Sequence, residues 1–377
     1  MKIIFYEAHS GLGSDLHFSK MNFSQLNLIV GDSGCGKTRL LNTIFNGAMM
    51  AVQRDKFFLG SWDITLEHEN QFYHWSLETG GEEEDERVQS EKIAKVNPEN
   101  GEEEPLVIRT LNSFVFVGKE LPRVGPKQTS ITLLSEEESI KPLYSGFSSI
   151  MRRSFSGPEL EIAAALEPVP QKFLKKIQKS KNMDDLFPLN LSLNPRLYIL
   201  SQDFKETYER ICKEFVSTFP FVSNCAVLSA EDFGHHIPGI VPVFAVQERR
   251  AGKKWIPLDQ LSSGMKKVLL ILTDILTMPK AGGVYLLDEY ENSLGINAIN
   301  FFPSIIFECG TNSQFIITSH HPYIIGNVPV KSWIILHRKG NQVLVKQGAS
   351  LEERYGKSKQ KAFVQLINDP FFTEGIE

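Results

Sequence analysis

The sequence predicts an α/β fold: a mixed sheet around a glycine-rich phosphate-loop core, an antiparallel β subdomain, and an inserted helical subdomain. Three observations carry this. Apolar Leu26–Val30 runs into a glycine-rich loop and then a helix-patterned stretch, 38–52. Short apolar strand patterns return late in the chain, at Val284–Leu287 and Phe315–Thr318. Between them, period-two segments give way near residue 135 to a helical pattern interrupted by prolines.

Residues 2–6 and 26–30 read as strands, and Trp62–His68 with Phe72–Leu77 as an antiparallel hairpin. The stretch from Gly80 to Pro105 carries Glu82–Glu86 and Glu102–Glu104 with few apolar residues, so a mobile acidic surface loop is expected there. Strand character resumes over Leu106–Val117. From Ser135 to Asn224 the clearest helices are Glu159–Leu166, Gln171–Lys179 and Phe204–Phe215. Sustained heptads are absent, so this block reads as a compact subdomain and not a long coiled coil. The expected division is a core of 1–134 and 236–377 with 135–235 inserted. Beyond it come a strand at 241–246, a turn at Ala251-Gly252, a strand Trp255–Leu258 and a helix Met265–Met278. A hairpin (Trp333–His337, Gln342–Lys346) and a short terminal helix close the chain.

With 377 residues, 42% of them hydrophobic, the chain can bury a large core. No apolar run is long enough to span a bilayer, and the start MKIIFYEAHS reads as a strand and not a signal peptide, so a cytoplasmic protein without membrane contact is expected. The cysteines at 35, 212, 225 and 309 show no metal-ligand spacing and read as free thiols. A net charge of −5 argues against indiscriminate coating of nucleic acid. Two local basic groups remain, Arg249, Arg250, Lys253 and Lys254 in one turn and Lys172, Lys175, Lys176, Lys179 and Lys181 in another; solvated faces are their simpler reading.

Gly31-Asp32-Ser33-Gly34-Cys35-Gly36-Lys37-Thr38 matches G-x-x-x-x-G-K-[ST] between a strand and a helix. Glycines let the backbone turn its N–H groups onto phosphates, and the helix adds its positive end. Residues 31–38 together with Arg39 are therefore the expected nucleotide-binding segment, with ATP and Mg²⁺ as ligands. Lys37 is expected to reach the β- and γ-phosphates and the Thr38 hydroxyl to ligand Mg²⁺. Bound nucleotide is expected to shield Cys35 from alkylation. Val284-Tyr285-Leu286-Leu287-Asp288-Glu289 is an apolar strand ending in two carboxylates, the Walker B pattern. Asp288 is the expected second metal residue and Glu289 the residue that polarises the attacking water.

Leu261-Ser262-Ser263-Gly264-Met265, before the 265–278 helix, resembles the ABC signature, with Ser263 and Met265 replacing its commonest glycine and glutamine. Ser262, Ser263 and Gly264 at a helix start suit a γ-phosphate, because a hydroxyl and exposed N–H groups gather there. Glu291-Asn292-Ser293-Leu294 resembles the D-loop, with Gly295 where relatives often carry histidine. Thr318-Ser319-His320-His321-Pro322 resembles the segment of the switch histidine, which places His320 in that role beside Glu289. The motifs follow ABC order, so the chain looks like an ABC-type ATPase head. Val241–Val246 and Ile256-Pro257-Leu258 are similar to the approach segment of SMC/RecF-like single-chain ATPases. That group is labelled AAA15 or AAA_21 and is common in bacterial anti-phage and overcoming-lysogenization-defect systems.

The resemblance implies slow ATP hydrolysis and a homodimer, or a higher assembly, that sandwiches nucleotide between the phosphate loop of one copy and the signature of the other. Only roughly 55 residues follow Pro322, without the pattern of a TOPRIM nuclease. A separate effector, a nuclease or toxin, is therefore the expected partner. A RecF-like repair ATPase binding DNA through 249–254 is the alternative. A transporter motor fits less well, because roughly 220 residues separate Thr38 from Leu261. The segment does not place the Q-loop: Gln128 is a candidate, with a plain loop glutamine the simpler reading.

Overall fold

The structure is a computed structural model. It describes residues 1–376 except 12–14, 55, 83–84, 123, 188–190, 250–251, 253, 293, 296–297, 299–304, 307–311 and 353–358; the side chains of 359–361 are also outside the description. The chain divides into two compact units. The first is Met1–Arg153 with Ala281–Tyr290 and Asn312–Glu377, and the second is Ser154–Lys280 with Glu291–Thr311.

The first unit opens with β1 (Lys2–Ser10), β2 (Leu16–Asn22), β3 (Leu26–Gly31) and α1 (Lys37–Ala51). Five antiparallel strands follow, β4 (Gly60–His68), β5 (Gln71–Gly80), β6 (Arg87–Val96), β7 (Glu103–Thr110) and β8 (Phe114–Phe116), and then the short β9 (Lys119–Glu120). Helices α2 (Ser130–Leu133) and α3 (Lys141–Ser148) lead to β10 (Ile150–Arg153). The second unit holds α4 (Gly157–Ala163), α5 (Gln171–Ser180), α6 (Leu193–Asp203), α7 (Lys205–Thr218), β11 (Val222–Ser229), β12 (Pro242–Glu248), β13 (Trp255–Pro257) and α8 (Ser263–Leu276). The chain then returns to the first unit with β14 (Val284–Leu287), β15 (Gln314–Thr318), α9 (Pro322–Asn327), β16 (Trp333–Lys339), β17 (Gln342–Gln347), α10 (Lys359–Ile367) and α11 (Pro370–Glu374).

Among the described residues, all seventeen strands except β11–β13 form one sheet, ordered β10-β14-β15-β3-β16-β17-β2-β1-β4-β5-β6-β7-β8-β9. Its first five strands are parallel, with Arg153 beside Leu287, Leu287 beside Ile317 and Thr318 beside Ile29. Strands β3, β14 and β15 are buried at every residue, as parallel strands covered on both faces must be. Because β10, β14, β15 and β3 run the same way, their carboxyl ends share one edge. Arg153, Asp288, Ser319 and the loop after Gly31 emerge there, the usual place for a ligand in such sheets. From β2 outward to β9 the sheet is antiparallel and alternates buried with half-buried residues, as in β4.

Two expectations are corrected. The acidic loop expected over 80–105 contains β6, paired with both β5 and β7. Its charges concealed the alternation. Val88, Ile93 and Ala94 face inward, and so does Glu91, whose carboxylate accepts from Trp75 Nε1 (3.0 Å) and from the Ser130 N–H (2.7 Å). Burial pushes that carboxyl above its ordinary range. The helical pattern expected from 135 to 224 contains strand β10, and the helical subdomain expected to run to 235 contains β11. Strand β10 has four residues, too few to display a period, and it pairs with β14 across the sheet. The compact units cut the chain at 153/154, 280/281, 290/291 and 311/312 and not at the 135 and 235 boundaries expected from sequence.

In the second unit, α6 and α8 are mostly buried. They are tied by Arg196, which donates to Asp274 (2.6 Å) and Thr277 (3.1 Å). A buried pair this well bonded is costly to break from one side, about 3–5 kcal/mol. Among the described residues no helix is long and apolar enough to cross a membrane.

Candidate functional site

The loop from Gly31 to Thr38 wraps over the start of α1. A Cβ on Gly31 would lie 2.5 Å from the Leu336 carbonyl oxygen and 2.6 Å from Cys35 Sγ, and Gly36 caps α1 at φ +109. No other residue type fits either position without strain. Asp32, Ser33, Gly34, Thr38 and Arg39 are exposed, whereas Cys35 and Lys37 are buried. The Lys37 ammonium donates to the Gly31 and Asp32 carbonyls at 2.7 and 2.8 Å, with Cys35 Sγ 3.7 Å away. Burial lowers the Lys37 pKa and raises that of the Cys35 thiol.

Asp288 stands at the end of β14 and is 5% exposed. Its Oδ1 accepts from Thr38 Oγ1 (3.1 Å) and Thr318 Oγ1 (2.7 Å). Its Oδ2 lies 3.5 Å from the Arg152 guanidinium, and its N–H donates to the Arg153 carbonyl (2.9 Å). The Thr318 hydroxyl oxygen also accepts from the Glu289 N–H (2.8 Å), and Glu289 holds φ +46. A non-glycine residue in that left-handed region costs about 1–2 kcal/mol, so the hydroxyl helps to fix a strained turn that aims the side chain.

His320 is exposed just beyond β15. His321 has a different use: its Nδ1 accepts from the Tyr323 N–H (3.2 Å), capping α9. Gln128 is remote from this edge in role: its side chain donates to Gln53 and its carbonyl accepts from Arg109.

In the second unit, Ser262 caps α8, its Oγ accepting from the Met265 N–H at 3.3 Å. Ser262 and Ser263 are exposed and Gly264 half-buried. Next to them Lys267 is fully buried; its ammonium donates to the Asn292 carbonyl (2.8 Å) and sits 4.1 Å from the Phe155 ring centroid. The signature helix and the D-loop-like turn are thus bonded within one unit. Ser293 of that turn, Cys309, and Arg250 and Lys253 of the basic turn lie outside the described residues.

Arg152, Thr318 and Lys267 were not singled out from sequence. Arg152 follows only two apolar strand residues, and Thr318 reads as part of the histidine motif. Only pairing in space joins them to Asp288 and the D-loop-like turn.

A family model described as "AAA domain, putative AbiEii toxin, Type IV TA system", AAA_21, matches residues 127–326, more than half of the chain. The chain belongs to this family. Over 165 residues this AAA_21 chain is 24% identical to the Chromosome partition protein Smc of Methanocaldococcus jannaschii, a stretch that is 43% of this chain and 14% of that protein. It also superposes on a crystal structure of an SMC head bound to the C-winged helix domain of ScpA. The TM-score is 0.53 at 15% identity, covering 92% of this chain and 98% of that one. The AAA_21 chain therefore has the mixed α/β fold of an SMC head.

Proposed function

We propose that this AAA_21 chain binds ATP and hydrolyses it slowly, as a cytoplasmic switch that closes when two copies share two nucleotides. The observation that carries the reading is Asp288 Oδ1, held by the Thr38 and Thr318 hydroxyls while Thr318 also fixes Glu289. Thr38 Oγ1 and Asp288 Oδ1 are 3.1 Å apart. Two oxygens sharing one octahedral Mg²⁺ stand about 2.9 Å apart, so this pair fits that ion. When bound, Mg²⁺ would neutralise charge building on the β- and γ-phosphate oxygens.

The chain's own residues do the rest. Phosphate oxygens take the place of the Gly31 and Asp32 carbonyls at the Lys37 ammonium. Glu289 orients the attacking water and accepts its proton, and His320 donates to the γ-phosphate. Arg152 lies beside Asp288 with its Nε–H buried and unpartnered, and its guanidinium is suited to a γ-phosphate oxygen. The partner copy supplies Ser262, Ser263 and Gly264 to the same phosphate. ATP then stabilises the closed dimer because it binds that state best, and hydrolysis releases it.

The family description, which names a toxin of a toxin–antitoxin system, supports placing the switch in a bacterial anti-phage defence module, where it holds or releases a separate nuclease or toxin. The decisive experiment is light scattering of Glu289→Gln with ATP and Mg²⁺. A stable nucleotide-bound dimer is expected, and a chain that stays monomeric ends the proposal.

The likeness to a chromosome partition protein supports a second reading, a RecF-like ATPase that binds DNA. ATP-dependent, salt-sensitive DNA binding would favour it, and no binding at low salt would remove it.

A further inference from the structure

Strands β1 and β2 place His9 directly opposite His17, with Ala8, Leu16 and Phe18 turned to the buried face and the two histidines to the other. The imidazoles stack at 3.9 Å between centroids, 7° from parallel. Asp15, just before β2, holds φ +43 and sets a carboxylate oxygen 2.5 Å from His9 Nε2. One donor atom from each of His9, Asp15 and His17 lies within 4.8 Å of the other two. The backbone beneath is fixed on both sides: His17 pairs with His9 in β1 and with Gln342 in β17, and its N–H donates to the Asn341 carbonyl at 2.9 Å.

We propose that His9, Asp15 and His17 form a binding site for a borderline divalent cation of the zinc, nickel or copper class. Two imidazoles and one carboxylate are the donors such ions take, whereas Mg²⁺ and Ca²⁺ prefer more oxygens than this place offers. Bonds of about 2.0–2.2 Å set tetrahedral donors roughly 3.3 Å apart. The ion would therefore part His9 from Asp15 slightly and draw the His17 ring inward, which half-exposed side chains accomplish by rotation about χ1 and χ2. The remaining coordination position faces an open cavity of about 870 Å³ that the two histidines help to line, and water fills it. Among the described residues that line the same cavity, Glu7, Asp63 and Glu78 stand against one cation, Lys20, a balance that favours an incoming divalent ion.

The position gives the site a consequence. A Cβ on Gly36 would meet Phe18 at 3.5 Å and Leu16 at 3.7 Å, so the buried face of β2 supports the phosphate loop directly. A cation joining β1 to the start of β2 would fasten that support from behind.

Zinc chloride titrated into the full chain, without nucleotide or magnesium, tests the site by calorimetry. One site is expected, with Kd on the order of 10 µM. His9→Ala and His17→Ala should each weaken binding at least about tenfold, and Asp15→Asn less. His235→Ala/His236→Ala, a pair of exposed histidines elsewhere, should leave it unchanged. Zinc should also raise Tm by about 3–6 °C in the unmodified chain and not in His17→Ala. Cobalt(II) added to the unmodified chain gives a reading that needs no variant: strong visible d–d bands of a four- or five-coordinate ion. Absence of saturation below about 100 µM, affinity retained in His9→Ala/His17→Ala, or only the weak spectrum of a hydrated ion would each overturn the proposal.

Discussion

In the loop Gly31–Thr38 the lysine is buried and already held by two carbonyls of its own loop, whereas at Ser262–Gly264 both serines stand exposed and the Ser262 hydroxyl only caps its own helix. The first place lies within one unit: the Lys37 ammonium is bonded to the carbonyls of the cradle, and Thr38 to Asp288. The second offers a helix start to whatever is brought to it. One half should bind nucleotide alone, and the other should matter only once the nucleotide is presented by a second molecule.

The largest expected effect tests the first half. Lys37→Ala should weaken ATP binding by about 100-fold or more in calorimetry, since it removes the charge-assisted contacts to phosphate. Affinity within tenfold of the parent would break the comparison. Glu289→Gln should lower turnover by about 100-fold or more while ATP affinity stays within about threefold, as phosphate release and equilibrium binding would measure. Ser262→Ala should leave ATP affinity within about threefold, reduce turnover at least about tenfold, and lower stability by about 1 kcal/mol through the lost cap. Mixing Ser262→Ala with Lys37→Ala sharpens the contrast further. A mixed dimer contains one intact composite site, so turnover should reappear in the mixture; if it stays absent, the two halves do not meet in trans. The smallest effect falls on Arg152→Ala. With the guanidinium gone from Asp288 and from the γ-phosphate, turnover at saturating ATP and Mg²⁺ should fall by about threefold to tenfold.

Most of this contrast can be read in the residues. The strand–loop–helix around Gly31–Thr38, the strand before Asp288 and the start of α8 all carry local signals, a glycine pattern, an apolar run and a serine cap. What stays hidden depends on pairing in space. Strand β6 disguises its alternation because Glu91 is the inward residue, satisfied by Trp75 and Ser130, which are 16 and 39 positions away. Strand β10 is legible only beside β14, and without it Arg152 has no reason to be linked with Asp288, 136 residues later. Lys267 reads as one more surface charge of a helix until Asn292 and Phe155 enclose it. Short strands and buried charges take their meaning from neighbours distant in sequence, and local periodicity cannot supply those.

The left-handed turn at Glu289 has a price in folding that the proposed hydrolysis would justify. Glycine or asparagine would sit there more comfortably. A lineage that retained nucleotide binding but abandoned hydrolysis would have a thermodynamic incentive to change this residue first, and would emerge slightly more robust to heat for having done so.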